Sequence, residues 1–108
     1  MTNKEIEKRF FFDLEMGLFK KLSSDDFHIW FETKSIFECN PLCELLNYAG
    51  FECRSNYASR TSMNHFVYIG IIISNKTYSI YSRYTKVSGL VTNPIPEYVR
   101  EYSIRDNF

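Results

Sequence analysis

Residues 63–85 read MNHFVYIGIIISNKTYSIYSRYT, and this stretch decides the fold. Positions 63–73 are apolar almost without interruption, as expected of a central strand buried on both faces. The next four residues, SNKT, have the small and polar character of a tight turn. Positions 78–85 then resume as a second strand. Strands joined by so short a connection lie antiparallel and adjacent, which predicts a central hairpin over 63–85.

Working outward from the hairpin, residues 27–33 (FHIWFET) alternate. Phe27, Ile29 and Phe31 fall on one face and His28, Trp30 and Glu32 on the other, which predicts a strand with one buried face. Upstream, Ile6, Phe10, Leu14, Leu18 and Leu22 recur at i, i+4 spacing. Glu5 and Glu7 suit a positive helix start, and Lys20 and Lys21 a negative helix end. The spacing therefore predicts one helix over 3–22. Phe12, Met16 and Phe19 form a second stripe, read as a surface for self-association into a homodimer or as a face capped by the C-terminal segment. Asn40-Pro41 predicts the N-cap and first residue of a short second helix. Leu42, Leu45 and Leu46 would face inward, and Gly50 would end the helix in a left-handed conformation. Residues 51–62 read as irregular, the Gly89, Pro94 and Pro96 region as a loop, and 97–102 as a last helical turn or two. This order predicts a single α+β domain over 1–108, an antiparallel sheet of about three to four strands packed by an N-terminal helix and a short second helix.

The chain has 108 residues, 44% of them apolar and 18% aromatic, which excludes a disordered composition. The longest apolar run is too short to span a membrane and contains Gly70. Glu5 and Glu7 stand where a signal peptide needs basic residues. Three cysteines cannot all pair within one chain, so a reduced, cytosolic protein is expected. Formal net charge is zero, but unevenly spread. Residues 1–52 carry ten acids and six bases; residues 53–96 carry five bases, Arg54, Arg60, Lys76, Arg83 and Lys86, and no acid. An acid-free segment of this length points to a face for an anionic partner.

The three cysteines fall between residues 37 and 53, in FECNPLCELLNYAGFEC. With His65 they form a set that zinc accepts, but the spacing lacks the paired C-x2-C knuckles of zinc motifs, so no metal is expected. Cys43, placed in the first turn of the second helix, would have a lowered thiol pKa, and His65 could serve as its base. The strings CNPLCELLNYAGF and HFVYIG resemble the Cys-helix and His-strand segments of bacteriocin-processing, papain-like cysteine peptidases. That resemblance implies a minimal cysteine hydrolase using Cys43 or Cys39 with His65. The chain has no Gln to serve as the usual oxyanion donor. Packing is the simpler use of all three thiols, since free cysteine behaves as a small buried hydrophobe.

The segment after the cysteines interleaves tyrosine and arginine, residues that interfaces favour. Arg54, Tyr57, Arg60, Tyr81, Arg83 and Lys86 are the candidate partner-binding residues. The same mixture on a sheet can stack and neutralise single-stranded nucleic acid. No cofactor motif or phosphate loop is present, the four glycines being isolated. The expectation is a small non-enzymatic intracellular protein that binds a macromolecule with an anionic surface, either a protein or a nucleoprotein complex. In size and composition it resembles small phage and mobile-element inhibitors, including anti-CRISPR proteins. The alternatives are the cysteine hydrolase and a single-stranded nucleic-acid-binding module.

Overall fold

The computed structural model describes residues 1–22, 25–57, 66–83, 85 and 89–108; the side chains of Leu22, Asp25, Asp26, Phe27, His28 and Ile36 lie outside that description. Helix α1 (Asn3–Glu15) leads to a two-residue strand β1 (Lys21–Leu22) and the long strand β2 (Asp25–Thr33). Helix α2 (Ile36–Tyr48) follows, then β3 (Glu52–Tyr57), β4 (Phe66–Ile72), β5 (Thr77–Arg83), the short β6 (Asn93–Pro94), α3 (Glu97–Arg100) and a closing 3-10 turn (Ile104–Asn107). The chain is α+β as the sequence predicts, but its sheet is mixed. The order is β1-β2-β4-β5-β3, with β6 beside β2. The β4–β5 hairpin and the β2–β4 pair are antiparallel, whereas β3 joins β5, and β6 joins β2, in parallel.

Helix α1 starts where local chemistry dictates. Thr2 Oγ1 accepts from the Glu5 N–H at 3.2 Å, and the Glu5 carboxylate accepts from the Thr2 N–H at 3.1 Å. This reciprocal cap satisfies two otherwise orphaned donors and holds the Glu5 carboxyl below its ordinary range. The helix stops at Glu15 rather than continuing to residue 22. Gly17 takes a φ of +71°, its N–H bonds Leu14 O, and the Leu18 N–H bonds Asp13 O. That closing motif needs a left-handed residue after the cap, and glycine adopts it without a Cβ clash. Gly50 closes α2 in the same way, as the sequence predicts.

The early stop breaks up the expected second stripe. Phe12 stays on the helix and Met16 becomes its C-cap; both are exposed, which also rules out a C-terminal cap over them. Phe19, now beyond the helix, turns into the core, 5.7 Å from the Phe10 ring and 5.0 Å from Phe31. Helix α2 begins earlier than predicted, with Ser35 as N-cap and Pro41 inside the helix. Pro41 forfeits one bond, to the carbonyl of exposed Phe37. The first turn is tightened by a Glu38 N–H to Ser35 O bond, and Glu38 accepts from the Lys34 N–H at 3.0 Å.

One sheet face carries the core: Ile29 and Phe31 from β2, Val67, Ile69 and Ile71 from β4, and Tyr78 and Ile80 from β5. Ile6, Phe10 and Leu14 of α1, and Leu42, Leu45 and Leu46 of α2, close over it. Buried Asn93 ties the far edge together, its side chain bonding Lys20 N and O and Trp30 O at 2.8–3.1 Å. Asp13, also buried, accepts from Arg9 Nε and from Tyr98 Oη at 2.6 Å, which fastens the C-terminal turn to α1. Among the described residues no helix is long and apolar enough to cross a membrane.

Candidate functional site: an aromatic row on the second sheet face

Because side chains alternate along a strand, the residues between the core positions face the opposite way. That opposite face holds Trp30 on β2, Tyr68, Gly70 and Ile72 on β4, Ser79, Tyr81 and Arg83 on β5, and Arg54, Ser55 and Tyr57 on β3; Tyr68 and Gly70 are buried, Trp30 and Tyr81 half-buried, and Arg54, Tyr57 and Arg83 exposed. Register sets their rows. Tyr57 pairs with Tyr81, and Tyr81 with Tyr68. In the next row Ser55 pairs with Ser79, Ser79 with Gly70, and Gly70 with Trp30.

Three of these rings touch. Tyr57 stacks on Tyr81 with centroids 5.4 Å apart and planes at 23°. Trp30 reaches Tyr81 diagonally, 5.8 Å between centroids at 43°. Gly70 makes that reach possible, because the Trp30 indole occupies the space where a side chain at 70 would stand. The Trp30–Tyr81 contact forms a ridge between two clefts of about 300 Å³ and 310 Å³. Arg54 walls the first cleft, beside Ser55 and Ser79. Arg83 walls the second, beside Tyr68 and Leu90. Among the described residues neither cleft is lined by a carboxylate, and neither arginine joins an ion pair. The aromatic row therefore runs between two exposed guanidinium groups.

The structure brings four of the predicted partner-binding residues, Arg54, Tyr57, Tyr81 and Arg83, onto this one face. Arg60 and Lys86 lie outside the described residues. Sequence reading did not include Trp30 and Gly70 in the site. The signals were present: alternation already placed Trp30 outward, and a lone glycine within an apolar strand marks a close approach. A further cleft of about 420 Å³ lies between β2 and the C-terminal region, with Glu32, Lys34, Glu38 and Arg100 on its walls. Its two carboxylates are already engaged, Glu32 by Thr92 Oγ1 at 2.8 Å and Glu38 by the Lys34 N–H.

The cysteines gather on the other side of the sheet. Cys39 and Cys43 of α2 and Cys53 of β3 line a cleft of about 590 Å³ with Asn47 and Tyr78. None of the three is in a disulfide; Cys39 is buried and Cys53 exposed. Cys43 stands in the middle of α2, not in its first turn, because the helix starts at Ile36. Its thiol donates to the Cys39 sulfur, which raises its pKa far above the ordinary thiol range, and burial adds to the effect. The same bond lowers Cys39. An activated nucleophile needs the reverse at Cys43. His65 lies outside the described residues. Among the described residues no three His, Cys, Asp or Glu side chains are placed to share a metal ion.

No family model, curated protein or solved structure matches this chain.

Proposed function

We propose that this chain is a binding protein that holds a partner bearing anionic groups on the sheet face opposite the core, at its exposed Arg54, Tyr57 and Arg83. The observation that carries this reading is the contacting row Tyr57–Tyr81–Trp30 set between Arg54 and Arg83. Tyrosine, tryptophan and arginine dominate binding hot spots, since they offer large rigid area with a polar tip. The two guanidinium groups supply attraction at long range and paired hydrogen bonds at contact. The acid-free stretch 53–96 keeps that charge uncompensated along the chain.

Retention on an immobilised polyanion tests the reading, because a chain of zero net charge has no bulk reason to bind one. The wild-type protein is expected to be retained at low salt and released as the Debye length falls from about 10 Å at 0.1 M towards 3 Å at 1 M. Arg54→Glu with Arg83→Glu is expected to abolish retention while leaving the thermal midpoint unchanged, both residues being exposed. Retention that survives both reversals would remove the face from consideration.

A further inference from the structure

Resting on that reading of the face, we infer that its partner is a single-stranded nucleic acid, with bases stacked on the Tyr57–Tyr81–Trp30 row and phosphates held by Arg54 and Arg83. An acidic protein surface would have to bring carboxylates to the arginines and apolar side chains to the rings from separate residues, whereas a nucleotide carries both in one repeating unit. A base has both parts: a π-face for the row and a phosphate one backbone step away for the guanidinium. The row has the geometry of an unfinished stack. Tyr57 and Tyr81 already lie near parallel, and Tyr57, the last ring of the row among the described residues, is 67% exposed, which leaves ring surface for a further planar group.

The two clefts extend the match on either side of the Trp30–Tyr81 ridge. Each offers an aromatic wall and one arginine, so successive nucleotides can straddle the ridge with a cation within reach of each phosphate. Ser55 and Ser79, paired side by side in the first cleft, add neutral hydroxyls suited to phosphate or sugar oxygens. Such a surface reads planarity and charge rather than sequence, and it requires unpaired bases; a duplex keeps its π-faces stacked internally. Zero net charge limits the electrostatic share of affinity and shifts the weight to stacking.

Fluorescence anisotropy with labelled RNA and DNA single strands of mixed sequence, about twelve nucleotides long to cover one such surface, tests this. The arms are the same sequence as a duplex and a base-free inorganic polyphosphate. Single strands are expected to bind at least tenfold more tightly than the duplex. Trp30 is the only tryptophan, so its emission reports the face directly; it should be quenched by the oligonucleotide and not by polyphosphate. Tyr57→Ala and Tyr81→Ala should each weaken single-strand binding by roughly 5- to 100-fold, with Tyr57→Phe restoring it because the ring suffices. Reversing both arginines should flatten the slope of log affinity against log salt by about 1.4, two single-strand phosphates' worth. If polyphosphate and duplex bind as well as single strands and the tyrosine variants change nothing, the nucleic-acid inference is overturned and the anion-binding reading stands. If neither oligonucleotide nor polyphosphate binds, both fall.

Discussion

The benzo edge of the Trp30 indole sits over Gly70, its cross-strand partner: a Cβ at position 70 would fall 2.7 Å from Cη2 and 2.8 Å from Cζ3. These distances are below any real carbon contact, so the ring and a side chain at 70 exclude each other. The consequence reaches Tyr81 and Tyr57, because Trp30 leans on Tyr81 and Tyr81 stacks on Tyr57.

Gly70→Ala is therefore expected to lower both stability and binding. The methyl group forces the half-buried indole off its site, an overpacking cost on the order of 1–3 kcal/mol, against which the loss of glycine's unfolded-state freedom returns less than about 1 kcal/mol. Urea denaturation reads the net loss, and a shift in Trp30 emission shows that the ring has moved. An unchanged midpoint with unchanged emission would mean the indole has room that this geometry denies.

How the fold reads from sequence follows from what each signal can see. The β4–β5 hairpin was legible because apolar continuity, a polar turn and a resumed strand all lie within a few residues. The end of α1 was not, because Leu18 and Leu22 keep the helical period while Gly17 has already left it; periodicity is blind to a single positive φ. Asn40-Pro41 has the chemistry of a helix start, yet the packing of Cys39, Leu42 and Leu46 against the sheet begins the helix five residues sooner, at Ile36. The parallel placing of β3 beside β5 had no local signature at all, since it joins strands across an intervening one. For the same reason Arg54, Tyr57, Tyr81 and Arg83 could be found from composition and alternation, whereas the Trp30–Gly70 register could not.

Phe19 and Phe12 are expected to behave oppositely, although both belong to one apparent stripe in the sequence. Phe19 packs on Phe10 and Phe31, so Phe19→Ala should cost about 2–3 kcal/mol. Phe12 is 56% exposed, and Phe12→Ala should stay within about 0.5 kcal/mol. Thermal denaturation distinguishes the two. Exposed Phe12, Met16 and Leu18 are the surface left for self-association; light scattering of Phe12→Gln with Met16→Gln should then give the mass of one chain at concentrations where the wild type is larger.

Stability is expected to fall in alkali above pH 10. Burial raises the Tyr78, Tyr98 and Tyr102 hydroxyls together, Tyr102 to about 12, with neighbouring Cys43 and Cys53 adding at Tyr78 and Asp13 at Tyr98. The folded pKa exceeds the unfolded one near 10, so the unfolded chain loses these protons first. The contribution is intact below pH 10 and is lost as pH climbs through the folded values. For Tyr102 this amounts to about 2 kcal/mol between pH 10 and 12. Urea midpoints across that interval should fall more gently in Tyr102→Phe than in the wild type.

The cysteines are expected to separate by reactivity and to have no part in binding. Cys53 is exposed and should be alkylated first by a maleimide in the folded protein. Cys43 should lag, because its proton is held by the Cys39 sulfur and by burial, and only the thiolate attacks. Cys39, 1% exposed, should react only on unfolding, since its lowered pKa is of no use to a reagent that cannot reach it. Mass spectrometry of timed labelling gives the order directly. Cys43→Ala removes a half-buried sulfur from the α2–β3 cleft and should cost about 1 kcal/mol. It should leave single-strand binding unchanged, because the thiols and the aromatic row occupy opposite faces of the same sheet, with Ile69, Ile71 and Ile80 on the thiol side. A Cys43 variant that keeps its thermal midpoint and loses binding would show that the two faces are coupled, and would move the search for function to the cysteine cleft.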